Sequence, residues 1–214
     1  MTQPSLAIML RLLTGFAALL ALIPDFVAAQ SGARWSPAIG VGVNTALGCP
    51  SRNHGPGVSF SLVRGGRFRF GAEVGYQGLG TEVTRIENFD NQPGAVYREE
   101  FSRSMLRLVG VAQFEAGMGR FRPYLIAGAG GYDGRWRDRI RVTDGNGQPV
   151  PFYDFDGSGS DVKAGLTAGV GVVLTRPGRR MGFGIEGRWH GILDVTEDGF
   201  GTADFLSVGG VIRW

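Results

Sequence analysis

From Ile39 onward the chain keeps returning to a two-residue alternation, the period of an extended strand with two unlike faces. In the first such segment Ile39, Val41, Val43 and Thr45 share one side, and Gly40, Gly42 and Asn44 the other. Val58, Phe60 and Leu62 then oppose Ser59 and Ser61. In the third, Phe68, Phe70, Ala72, Val74 and Tyr76 oppose Arg69, Gly71, Glu73, Gly75 and Gln77. Leu106, Leu108, Gly110, Ala112 and Phe114 form one face of a fourth. The fifth, Pro123 to Tyr132, is so rich in Gly and Ala that parity assigns it no faces. The sixth is the most regular: Val162, Ala164, Leu166, Ala168, Val170, Val172 and Leu174 against Lys163, Gly165, Thr167, Gly169 and Gly171. Phe183, Ile185 and Trp189 oppose Glu186, Arg188 and His190 in the seventh, and Leu206, Val208, Gly210, Ile212 and Trp214 oppose Ser207, Gly209 and Arg213 in the last. Eight segments is an even number, as an antiparallel up-and-down barrel requires.

Which face is apolar decides the solvent. A soluble barrel turns Val, Leu and Phe inward, but an eight-stranded interior is only just wide enough for side chains to fill. Here the second face carries Gly, Ser and a few charged groups, which fit such an interior, so the apolar face must look outward into hydrocarbon. A closed barrel also leaves no backbone N–H or C=O unpaired at bilayer depth. The competing architecture, a secreted β-sandwich with core aromatics, gives no reason for charges in phase on the second face. Glycine supports crowded or strongly bent strands: 37 of 214 residues, well above the usual share of about 7 percent, with no collagen-like period.

The connections alternate in length. Short basic turns stand at Arg64-Gly65-Gly66-Arg67, Gly117-Met118-Gly119-Arg120 and Arg176-Pro177-Gly178-Arg179-Arg180. Long polar ones run from Gly48 to Pro56, Gly80 to Ser104, Asp133 to Asp161 and Leu193 to Asp204. Outer-membrane barrels have this arrangement, with the short turns periplasmic. The expected fold is therefore all-β: an eight-stranded antiparallel up-and-down transmembrane β-barrel behind an N-terminal signal peptide.

That signal peptide is read from Arg11, the apolar run Leu12 to Ile23, Pro24, and the small exit residues Val27-Ala28-Ala29. The run is too short to span a bilayer as a helix. Cleavage is expected between Ala29 and Gln30, giving a signal at 1–29 and one barrel domain at 30–214. Cys49 has no second cysteine to pair with. Lys+Arg 22 against Asp+Glu 19 is too small an excess to imply nucleic acid.

Charged residues on the second face should form a mutually compensating network that plugs the lumen, since unpaired charge there is costly. The candidates are Glu73, Arg107, Lys163, Glu186, Arg188 and Arg213. Two aromatic girdles are expected: Phe68, Phe70, Phe114, Phe121 and Trp214 toward the short turns, and Tyr76, Tyr132, Trp136, Trp189 and Phe205 toward the long loops.

Three stretches carry a resemblance to a known superfamily. Leu106-Arg107-Leu108-Val109 before a short turn, and Arg122-Pro123-Tyr124-Leu125-Ile126-Ala127-Gly128-Ala129-Gly130 after it, look like consecutive strands of the small outer-membrane barrels. Leu206, Val208, Gly210, Ile212 and Trp214 are similar to the C-terminal signal by which the barrel-assembly machinery recognises its clients, although Phe is the usual last residue. The mature chain thus resembles the OmpA transmembrane-domain and OmpX/Ail group. The resemblance implies an outer-membrane location and contact with lipid, lipopolysaccharide and the assembly machinery. Such barrels serve as adhesins, integrity proteins, small channels and lipid enzymes, and fold alone does not choose among them.

No catalytic, metal or cofactor residues are expected. His190 is followed by Gly191-Ile192, which lacks the His-x-Ser arrangement of lipid A deacylases, and His54 sits in a Gly/Pro loop without in-phase Ser and Asp. Asp144-Gly145-Asn146-Gly147 and Asp154-Phe155-Asp156-Gly157 lack the ligand spacing of a calcium loop, and the first reads as a hairpin turn. The long connections keep β-like patches at Glu82 to Ile86 and Arg137 to Thr143, with a turn at Asp90 to Gly94. The third to sixth strands are thus expected to protrude as a sheet, with Trp136, Phe152, Tyr153 and Phe155 as contacts for a surface ligand. Acidic residues mark that rim: Glu82, Glu87, Asp90, Asp154, Asp156, Asp194, Glu197 and Asp198. The expected role is non-enzymatic, structural, surface-interacting or adhesive; a lipid-modifying enzyme using His190 or a narrow channel is the alternative.

Overall fold

A computed structural model describes residues 34–47, 54–117, 119–176, 181–196 and 199–214, with backbone alone for 194–196 and 199–203. The signal segment with Ala29 and Gln30, Cys49, and Glu197 and Asp198 lie outside the described residues.

Eight strands close into one antiparallel ring: β1 (Arg34–Ala46), β2 (His54–Gly65), β3 (Phe68–Glu87), β4 (Val96–Glu115), β5 (Phe121–Thr143), β6 (Phe155–Thr175), β7 (Gly182–Thr196) and β8 (Gly199–Arg213). Each pairs with its sequence neighbours, and β8 returns to β1 through Ala38↔Arg213 to Ala46↔Phe205. Closure removes both sheet edges through the wall, so the backbone needs no water there.

Parity sets the faces. Val41, Val58, Ile185 and Val208 are 61%, 49%, 67% and 65% exposed, while Ser61, Glu73, Thr167 and Arg188 are buried. Register brings apolar positions side by side around the wall: Ile39 lies opposite Phe60 and Ile212, Phe60 opposite Val74, Val74 opposite Leu108, and Phe183 opposite Ile212. The apolar belt therefore runs through both ends of the chain. Soluble monomers rarely expose a contiguous apolar surface of that extent. Phe68 and Phe114, 4.7 Å apart, and Phe121 mark its short-turn border, where Trp214 is also exposed.

The inward glycines make room for larger neighbours. A Cβ on Gly171 would lie 2.4 Å from the Tyr124 ring, one on Gly165 2.6 Å from Tyr132, and one on Gly75 2.8 Å from the Arg107 guanidinium. Glycine on one strand thus lets an aromatic or arginine on the next fill the lumen. This fixes the faces of β5 that parity left open: Tyr124, Ile126 and Tyr132 are buried, and Leu125 is exposed. Two girdle expectations are corrected. Tyr132 and Phe205 are 1% and 2% exposed and belong to the lumen: Tyr132 takes the space that Gly165 leaves, and Phe205 lies opposite Ala46 and stacks on His190.

β3 to β6 are 20, 20, 23 and 21 residues long, about twice the 9–11 that cross a bilayer. Most of the two longest connections expected as loops is therefore strand, forming the protruding sheet. Leu193 to Asp204 is likewise mostly strand, as the upper parts of β7 and β8. On β3 the register against β4 slips between Gly78 and Thr81, with Gly80 at φ 90, a left-handed value that glycine tolerates. One residue is inserted there, so Glu82, Thr84 and Ile86 lie opposite Phe101, Glu99 and Tyr97 on the continuation of the inner face.

Leu166 on β6 is 46% exposed and faces outward. In lipid vesicles Leu166→Arg is expected to lower folding stability by roughly 2–4 kcal/mol, measured by urea titration, whereas Leu166→Phe should fold nearly as well. Equal tolerance of Arg and Phe would mean that this face does not meet hydrocarbon.

Candidate functional site

The lumen holds two ionic clusters joined through Tyr124. In the central one, the Glu73 carboxylate on β3 accepts from Arg107 on β4 and, at 2.8 Å, from Arg188 on β7. Arg188 also donates to Glu186, whose second oxygen accepts from the Tyr124 hydroxyl at 2.6 Å. Two carboxylates thus face two guanidinium groups, and the cluster sums to zero charge. Glu73 and Arg107 are 1% and 4% exposed, so the pairs are stripped of water, and each group depends on the others for compensation.

Arg107 reaches one step further, its Nη1 lying 2.9 Å from His190 Nε2. A guanidinium can only donate, so the imidazole is the acceptor in that pair. His190 Nδ1 lies 3.3 Å from the Tyr132 hydroxyl, which donates to the Leu166 carbonyl. The ring stacks on Phe205 with centroids 4.4 Å apart, and it is fully buried. Asn44, Gln77 and Ser207 form a neutral relay: Ser207 Oγ donates to Asn44 Oδ1 at 2.7 Å, and Gln77 Nε2 donates to Ser207 Oγ at 3.0 Å.

The second cluster lies toward the short turns. Glu115 on β4 meets Arg69 at 2.9 Å, Arg122 at 3.4 Å and Arg213 at 3.5 Å, and Arg213 also donates to Gln113. The Arg213 guanidinium sits 4.4 Å over the Tyr124 ring, so Tyr124 links both clusters, by its hydroxyl to one and its π-face to the other.

Of the sequence candidates, Glu73, Arg107, Glu186 and Arg188 are brought into the central cluster and Arg213 into the second. Lys163 is a correction. It has the inward parity, but its side chain is 31% exposed, where those of Arg188 and Glu73 are 5% and 1%, and it pairs with Asp161 at 3.3 Å. Parity reports a face and says nothing of depth. Glu115, Gln113, Tyr124 and Tyr132 went unrecognised, although Gln113 and Glu115 share the phase of Arg107. Leu206, Val208, Gly210 and Trp214 line the exposed face of β8, with half-buried Ile212 in the same phase.

The arrangement is a plug. His190 has aromatic rings and an arginine around it, and among the described residues its hydrogen-bonding partners are Arg107 and Tyr132, with no Ser, Thr or Cys side chain bonded to it. His54 is the first residue of β2 rather than a loop residue, and its Nδ1 lies 2.8 Å from the Thr45 hydroxyl. No group of His, Cys, Asp and Glu suited to a metal ion occurs among the described residues.

No family model matches the chain, and no curated protein is significantly similar to it in sequence. Among solved structures, neisserial surface protein A aligns with 86% of this chain and 98% of its own, at 14% identity and a TM-score of 0.51. The fold is that of the small eight-stranded outer-membrane barrels. Ail of Yersinia pestis, solved with a heparin analogue, aligns at 13% identity over 85% of this chain and 99% of its own, with a TM-score of 0.44. The N-terminal barrel domain of Pseudomonas aeruginosa OprF aligns at 12% identity over 84% and 97%, with a TM-score of 0.41. The likeness of fold to neisserial surface protein A covers 86% of the chain.

Glu73→Gln keeps the side-chain shape and leaves Arg107 and Arg188 without their shared carboxylate. It should cost about 3–5 kcal/mol by urea titration in vesicles, with Arg188→Gln added to it restoring part of the loss. Lys163→Gln should stay within about 0.5 kcal/mol. Equal effects at Glu73 and Lys163 would contradict a buried network.

Proposed function

We propose that this chain is a non-enzymatic integral protein of a bacterial outer membrane, working through the sheet that β3 to β6 raise beyond the barrel. The observation that carries this reading is the joined tip of the two arms. The β3–β4 connection turns through a short 3-10 segment, Phe89–Asn91, and the β5–β6 connection through another, Pro151–Tyr153. Phe89 stacks on Tyr97 at 5.2 Å and meets the edge of Tyr153 at 5.9 Å, while a Cβ on Gly145 would lie 2.4 Å from the Pro93 carbonyl. The arms therefore brace each other. On that support Phe152 is 89% exposed, with Tyr153 and Phe155 beside it at 43% and 49%. Rigid aromatics held outward lose little entropy on binding and make good anchors.

The outward face below the tip suits the charged zone just outside a membrane. β5 presents Arg135, Arg137, Arg139 and Arg141 at every second position. Asp133 pairs with Arg135, and Asp156 is shared among the other three. Hydrogen bonding from Arg137 holds the Asp156 carboxyl below its usual range, with Arg139 and Arg141 adding to the attraction. The rim is thus of mixed sign rather than acidic. It fits contact with the phosphates and bridging cations of lipopolysaccharide, while the exposed phase of β8 serves as the signal to the assembly machinery. The enzyme alternative is disfavoured by the enclosure of His190, and a channel by the two lumen clusters.

Cells displaying the full chain are the direct test. Attachment to a partner surface, or agglutination of cells, should appear with the wild type. It should fall several-fold with Phe152→Ser/Tyr153→Ser, a variant whose barrel still resists unfolding in unheated gels. Lipid turnover that disappears with His190→Ala, without any attachment activity, would replace this reading with the enzyme.

A further inference from the structure

A cavity of about 370 Å³ opens at the short-turn mouth of the barrel, below the second ionic cluster. Arg34, Arg69, Arg122 and Arg213 line it, and among the described residues Glu115 is the single acidic side chain in its lining. Three of these arginines already converge on Glu115. One carboxylate neutralises one charge of the three, and Arg34 adds another. A carboxylate at Trp214 would still leave two positive charges in excess.

Two further features mark a built site. The guanidinium groups are held in place from behind: Arg69 Nε donates to the Gly66 carbonyl at 3.1 Å, and Arg122 Nε to the Gly119 carbonyl at 3.2 Å. Arg213 is 6% exposed, and its Nε is buried with no hydrogen-bond partner among the described residues. A buried charged donor without an acceptor is costly, and an oxyanion in the mouth would offset the mutual repulsion of the arginines held there. Guanidinium forks match the oxygens of a phosphate, to which they can donate in pairs.

We propose that this mouth binds a phosphate group, either as the free anion or carried on a lipid headgroup of the adjoining leaflet. The cavity has room for an ester as well as for the anion. Trp35 and Trp214, 59% and 42% exposed, stand in its outer wall, where indoles favour the level of lipid headgroups. Only the lipid source rests on the membrane reading; the ionic site does not, so failure of either can be told apart.

The test uses the full chain in an uncharged detergent, titrated separately with inorganic phosphate and with phosphatidylglycerol at low mole fraction. Tryptophan fluorescence and calorimetry supply the readouts. Saturable binding of inorganic phosphate supports the free anion, and saturation by phosphatidylglycerol alone supports the headgroup. Arg122→Gln should weaken binding roughly tenfold, the loss of one charge-assisted hydrogen bond. Glu115→Gln should tighten it, because it removes the competing carboxylate; a merely structural Glu115 would not give that sign. Lys163→Gln, at a residue that pairs with Asp161 away from this mouth, should leave binding unchanged. Each variant is first shown to be folded by its unheated gel mobility. Absence of saturation by both ligands overturns the proposal. So does weaker binding in folded Glu115→Gln, or acetate competing as well as phosphate.

Discussion

The return of β8 onto β1 is the constraint from which the rest of the molecule follows. With the ring closed, every strand in the wall has a neighbour on both sides, and the backbone can leave water without orphaned donors or acceptors. Closure at eight strands also sets the bore. It is narrow enough that the inward side chains must fill it, which leaves the larger apolar side chains on the outside.

A bore of that size is filled by exchange between neighbouring strands. Gly165 and Gly171 on β6 give their space to Tyr132 and Tyr124 on β5, and Gly75 on β3 gives its space to Arg107 on β4. The charges admitted in this way are then bound to one another, in one run from Glu115 through Arg213, Tyr124 and Glu186 to Arg188 and Glu73. Rigidity inside has a counterpart above, where paired arms meet through Phe89 and Tyr153. The filled lumen, braced stalk and exposed tip are the features on which the proposed surface-presenting role rests.

Much of this was legible in the sequence, and the exceptions have physical reasons. Val162 to Leu174 shows its faces because large apolar and small or polar residues alternate without interruption. β5 hid them because Leu125 and Ala127 outside are balanced by Tyr124 and Ile126 inside, so that hydrophobicity nearly cancels. The extension of β3 was partly concealed by the insertion at Gly80, which reverses the phase between Tyr76 and Ile86. Lys163 had the right face and the wrong height, since a period of two carries no information about depth. Tyr132 and Phe205 were read as interfacial because aromatics near strand ends commonly are; only the small residues on neighbouring strands show that there is room for them within.

Spin labels placed one at a time at Leu166, Thr167, Ala168 and Val170, with Cys49 replaced, test the central claim most directly in the reconstituted protein. Collision with oxygen, which dissolves in lipid, should be high at Leu166, Ala168 and Val170 and low at Thr167, as a period of two along β6 requires. Collision with a water-soluble nickel chelate should be low at all four positions. High nickel accessibility at the even positions, or no alternation, would contradict a barrel whose apolar face looks into hydrocarbon.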